Sequence, residues 1–112
     1  MQQFVYPKTI VLNLLREEKK SEISIERILQ LMRFVHAELY AQGKLEDYFI
    51  NFEINADSLR RTVEYNPDMF ELDISEEIIR ITKDHPVEYW TKQYPWDDTL
   101  NGIVKKFIQE EN

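Results

Sequence analysis

Cysteine is absent from the 112-residue chain. Disulfide scaffolding, thiol chemistry and cysteine-ligated zinc or iron–sulfur centres are thereby excluded. Glycine occurs only at Gly43 and Gly102, too far apart to build a glycine-rich phosphate loop. Proline occurs four times, and so little of either residue argues against a long disordered linker. No apolar run is long enough to cross a bilayer. The first twenty residues, MQQFVYPKTIVLNLLREEKK, carry neither a basic leader nor a small-residue cleavage site. The expectation is a cytoplasmic protein without membrane association.

What the chain does have is negative charge, unevenly spread. The formal net charge is −7. Residues 53–98 hold twelve Asp and Glu against five Lys and Arg, and the flanks hold nine of each. An acidic middle repels a phosphate backbone, which disfavours direct nucleic-acid binding. It suits a basic protein partner, or serves solubility alone. The length gives one globular domain over residues 1–112, with its acidic segment at 53–98.

Helical signals dominate. Pro7 fits a first helical position, and Ile10, Val11, Leu14 and Leu15 then form an apolar stripe towards Lys20. Ser24 reads as an N-cap, with Ile23 and Ile28 as a hydrophobic staple. The stripe Ile25, Ile28, Leu29, Met32, Val35 and Leu39 follows, and Gly43 stands where a helix would end. Leu31, Phe34 and Tyr40 widen this second helix, which suggests a central position or a contact with a second subunit. Ile54-Asn55 with Leu59 opens a helix over 56–66. Ile74-Ser75 with Ile79 suggests another over 76–84. A last helix spans 98–109, with Leu100, Ile103, Val104 and Phe107 inward, and residues 110–112 frayed. Gly102 inside it suggests close packing against another element.

Two stretches, 48–54 and 69–74, alternate in part and would pair with each other as a small ribbon. The fold class is therefore mainly α, a compact bundle of about four to six helices with a small two-stranded β ribbon; α+β is the alternative.

The segment DHPVEYWTKQYPWDD, residues 84–98, gathers two tryptophans, two tyrosines and four carboxylates. Val87, Trp90 and Tyr94 recur at helical spacing, and Asp97 or Asp98 can cap the last helix. The segment reads as helix, turn and cap, with Trp90 and Trp96 in the core. Tyr89, Tyr94, Glu88, Asp97 and Asp98 would edge a protein-binding rim, and Glu71, Glu76 and Glu77 would extend the negative surface.

No catalytic constellation is legible. The histidines, His36 and His85, lack metal-ligand spacing, and His36 reads as a satisfied boundary or core residue. No serine sits in a nucleophile elbow. The sequence implies no metal and no cofactor. It points to a small acidic protein acting through protein–protein interaction, regulatory or adaptor-like. Leu31, Phe34 and Tyr40 are candidates for a homodimer contact. Three alternatives accompany this reading: a nucleic-acid mimic that inhibits a nucleic-acid-binding protein, a helix-turn-helix-like regulator, and an enzyme with a pocket near His85.

Overall fold

Every residue from Thr9 to Leu15 is buried. A helix buried all round must lie at the centre of its fold. In the computed structural model, which describes residues 3–50 and 52–110, α1 (Pro7–Glu18) holds that place. It packs on α2 (Ile25–Ala41), α3 (Ala56–Tyr65), α4 (Val87–Gln93) and α5 (Asp98–Glu110). The central helix is thus the first and not the second. α2 keeps one face in the core and turns Glu26, Gln30, Arg33, His36, Ala37 and Tyr40 to water.

Local chemistry explains the helix ends. The Ser24 hydroxyl accepts from the Arg27 amide at 3.1 Å, and Asn55 Oδ1 accepts from the Ser58 amide at 3.0 Å. Asp97 Oδ1 accepts from the Leu100 amide at 2.9 Å, so Asp97 rather than Asp98 caps α5. After α2 the chain turns through Gly43 at φ 68°, where glycine alone carries no Cβ penalty. Lys19 ends α1 in the same left-handed region, at φ 57°.

Five short strands complete an α+β fold in two small sheets: β1 (Gln3–Val5), β2 (Glu22–Ser24), β3 (Tyr48–Ile50), β4 (Phe70–Asp73) and β5 (Ile78–Ile81). β1 and β3 pair in parallel, with Phe4 opposite Phe49. The second sheet has the order β2-β5-β4 and is antiparallel throughout. One core cluster takes side chains from all five helices and all five strands.

Several expectations are corrected here. Residues 48–50 and 70–73 are strands, but they do not pair with each other; β3 takes β1 and β4 takes β5. The helix expected over 76–84 is replaced by a β4–β5 hairpin. The run Ile78-Ile79-Arg80-Ile81 favours a pleated surface, and its pairing partners lie on both sides. Ile74 is therefore no staple: it is 80 % exposed at the hairpin tip. Ser75 is no cap, because its hydroxyl donates to Asp73 Oδ1 at 2.9 Å while the Glu76 amide donates to the same oxygen at 3.1 Å. Gly102 makes no close approach either, since a Cβ there would meet nothing within 4 Å. α5 runs to Glu110, and the remainder of the expected frayed end, residues 111 and 112, lies outside the described residues.

No helix among the described residues is long and apolar enough to cross a membrane.

Candidate functional site

The antiparallel sheet carries Glu22 on β2, Glu71 and Asp73 on β4, and Arg80 on β5 between them. From α3 to the end of β5, residues 56–81 hold seven carboxylates and three arginines, a net −4. Arg80 stands opposite Glu22 on one side and Glu71 on the other, and its Nε donates to Glu22 at 3.3 Å. Arg60 pairs with Asp57 at 2.8 Å and approaches Glu77 at 3.9 Å. Two of the three cations are therefore engaged by carboxylates of this same surface and its neighbouring strand.

The hairpin tip has a specific form. Asp73 bonds to the Ser75 hydroxyl, then to the Glu76 amide, and these bonds hold its carboxyl below the usual carboxylate range. Glu77 adopts φ 51°, which closes the turn. Ile74 projects from this ring of Asp73, Glu76 and Glu77, all polar or charged.

The aromatic segment 84–98 has a different fate. Trp90 and Trp96 are both buried, as the spacing suggested. Tyr94 is half-buried beneath the Lys8 ammonium, 4.0 Å from its ring centre. Asp97, besides its capping bond, accepts a 2.6 Å hydrogen bond from the Tyr48 hydroxyl. Burial of the Tyr48 ring and then this bond push its hydroxyl up to about 12. Glu88, Tyr89 and Asp98 remain exposed. His85 stacks on Tyr89 with ring centres 3.8 Å apart and meets Trp90 edge-on.

The expected binding residues thus fall on three elements: Glu71, Glu76 and Glu77 on the hairpin, Glu88 and Tyr89 on α4, and Asp97 and Asp98 at the start of α5. No hydrogen bond or ion pair links one group to another among the described residues. Of the expected subunit contacts, Leu31 has no exposed surface and belongs to this chain's own core. Phe34 is half-buried against Phe107, and Tyr40 is 74 % exposed.

His36 is not a core residue. It is exposed and lines an open cavity of about 470 Å³ with Leu45, Tyr48, Phe49, Phe52 and Ile54. The lining contains no carboxylate, so His36 lacks the partner that acid–base work would require there. No group of three or more His, Asp or Glu among the described residues is placed to hold a metal.

One feature was not foreseen from the sequence. Phe4, Tyr6 and Phe49 form an exposed aromatic ridge, with Phe4 stacked on Tyr6 at 5.9 Å and edge-on to Phe49 at 5.1 Å. Tyr6 shares a groove with Lys8, Thr62 and Tyr65, and Tyr65 is 80 % exposed. The available signal was the short run Phe4-Val5-Tyr6 before Pro7, too short to read as a strand.

The elements α1, β2, α2, α3 and the β4–β5 hairpin follow one another in that order, and β2 pairs with the second strand of the hairpin. The chain departs from a tight helix-turn-helix because residues 42–55, including β3, separate α2 from α3. No protein-family model, curated protein or solved structure matches this chain.

Proposed function

We propose that the chain is a regulatory protein-binding module that engages a basic surface of another protein through α3 and the β4–β5 hairpin. The observation that carries this reading is Ile74, 80 % exposed at the hairpin tip among Asp73, Glu76 and Glu77. The carboxylates steer a cationic partner, and the apolar side chain adds affinity once the contact forms. Glu71, Glu76 and Glu77 belong to this contact; Glu88, Tyr89 and Asp98 flank it at most. The test is affinity capture from the native host with the wild-type chain beside an Ile74→Asp/Glu76→Lys/Glu77→Lys variant. Loss of a specific protein with the variant supports the reading. Equal recovery of every specific protein refutes it.

The order α1, β2, α2, α3, β4, β5, with β2 beside β5, resembles that of a winged helix and favours a second reading, duplex binding through α3 with the hairpin as wing. Phosphate contact needs unpaired cations on that face. Arg60 and Arg80 are already paired with carboxylates, and the wing itself is negative. Fluorescence anisotropy with a labelled DNA duplex at low salt is expected to show no binding. Salt-sensitive binding there would move the function to this second reading.

A further inference from the structure

The parallel β1–β3 sheet shares the core through Val5 and Tyr48 but pairs with no third strand among the described residues. Two strands alone are marginally stable in water, and parallel pairs are usually covered on their faces. Among the described residues β1 pairs with β3 and with no strand on its other side. Phe4 is 56 % exposed and Tyr6 is 49 % exposed beside that edge.

Open edges are normally protected by charge. The other sheet follows this rule: its outer strands carry Glu22 on β2 and Glu71 and Asp73 on β4. β1 carries Gln3, Phe4 and Val5, with no charge at all. No carboxylate occurs before Glu17 in a chain that holds 21 of them. Two copies with net charge −7 repel each other over most of their surface. β1 itself adds no charge to that repulsion.

We propose that a second copy of this chain covers the edge. β1 of each copy pairs antiparallel with β1 of the other about a two-fold axis near Phe4, which joins the two small sheets into one of four strands. Such an interface is isologous and closes at the dimer. Phe4 faces its own equivalent, an aromatic cross-strand pair of the kind that stabilises antiparallel sheets. The exposed parts of Phe4, Tyr6 and Phe49 amount to roughly 290 Å² per copy, taking about 200 Å² for each ring side chain. A stable interface buries about 800 Å² per partner, so the rings supply about a third of it and the paired strands with their flanks supply the rest. The β1 edge lies outside the hairpin contact proposed above, and the two contacts are independent.

The chain's lack of cysteine makes the test clean. Sedimentation of the full chain from micromolar to near-millimolar concentration should show a species of twice the chain mass. Phe4→Lys should sediment as a monomer over the same range, with an unchanged circular dichroism spectrum. If Phe4→Lys loses its folded spectrum, crosslinking decides: Phe4→Cys should oxidise to a disulfide-linked dimer in high yield, and Tyr40→Cys on α2 should not. A wild-type monomer at all concentrations overturns the proposal. So does a dimer that survives Phe4→Lys or one that crosslinks through position 40. The Ile74→Asp/Glu76→Lys/Glu77→Lys variant should dimerise normally, which separates this contact from the hairpin.

Discussion

The Tyr48 hydroxyl donates to Asp97 Oδ2 at 2.6 Å, across 49 residues of sequence. The same carboxylate caps α5 through its other oxygen. One aspartate therefore fixes both the start of β3 and the start of the last helix. Tyr48→Phe should destabilise the fold by about 1.5–3 kcal/mol, the usual worth of a hydrogen bond to a charged group. Asp97→Asn should keep most of the cap, and Asp97→Ala should lose both contacts. Urea denaturation of the three variants checks the order.

The same pair sets an alkaline limit. Tyr48 holds its proton to about pH 12 in the folded chain, against an ordinary value of 10.0. Below pH 10 its contribution is complete. Between pH 10 and 12 the unfolded chain releases the proton and the folded chain keeps it, so stability falls as pH rises, by on the order of 2 kcal/mol. Stability measured at pH 9 and pH 11.5 should fall less for Tyr48→Phe than for the wild type.

Glu18 and Arg27 join the end of α1 to the start of α2. Their side chains meet at 2.6 Å, with the Glu18 side chain 8 % exposed, and the guanidinium lies over the Phe107 ring at 4.7 Å. Removing one partner of a buried pair costs about 3–5 kcal/mol because the other charge is left behind. Glu18→Ala should therefore lower stability far more than Arg60→Ala at the exposed hairpin-side pair. Thermal melts of the two variants make the comparison.

The two glycines should respond with opposite sign. Gly102 lies inside α5 with open space around it, so Gly102→Ala should stabilise by about 0.5–1 kcal/mol. Gly43 has φ 68°, so Gly43→Ala should destabilise by about 1 kcal/mol. Melting temperatures that move in the same direction would contradict this account of both positions.

Trp90 and Trp96 test the corner formed by residues 84–98. Each is buried, and each indole N–H is without a hydrogen-bond partner. Truncation to alanine should cost about 3–5 kcal/mol. Phenylalanine should cost much less, because it keeps the apolar area and removes an unpaired donor. Denaturation of the alanine and phenylalanine variants measures the gap.

These contacts also show what the sequence could reveal. Ser24, Asn55 and Asp97 were legible as caps because capping needs only the three following residues. Trp90 and Trp96 were legible as core because helical spacing placed them beside Val87 and Leu100. The hairpin was misread because Ile74, Ser75 and Ile79 also satisfy the spacing of a helix start. What decides between the two is the pairing of β5 with β2, more than fifty residues away, and the Asp73 turn, whose Asp-x-Ser-Glu form was the available local signal. The aromatic ridge was hidden for a related reason. A three-residue strand has no measurable period, and its parallel partner lies beyond two intervening helices. His36 reads as a boundary or core residue because Val35 and Leu39 lie near it, yet it falls on the outer face of α2.

The central claim is that the hairpin tip touches a basic protein. Site-specific photo-crosslinking from position 74 in the native host tests it most directly, with position 105 on α5 as the exposed control. The account predicts a covalent adduct to a protein with a positively charged surface from position 74 and none from position 105, lost when Glu76 and Glu77 are changed to lysine. No adduct from position 74, or the same adducts from both positions, would contradict it.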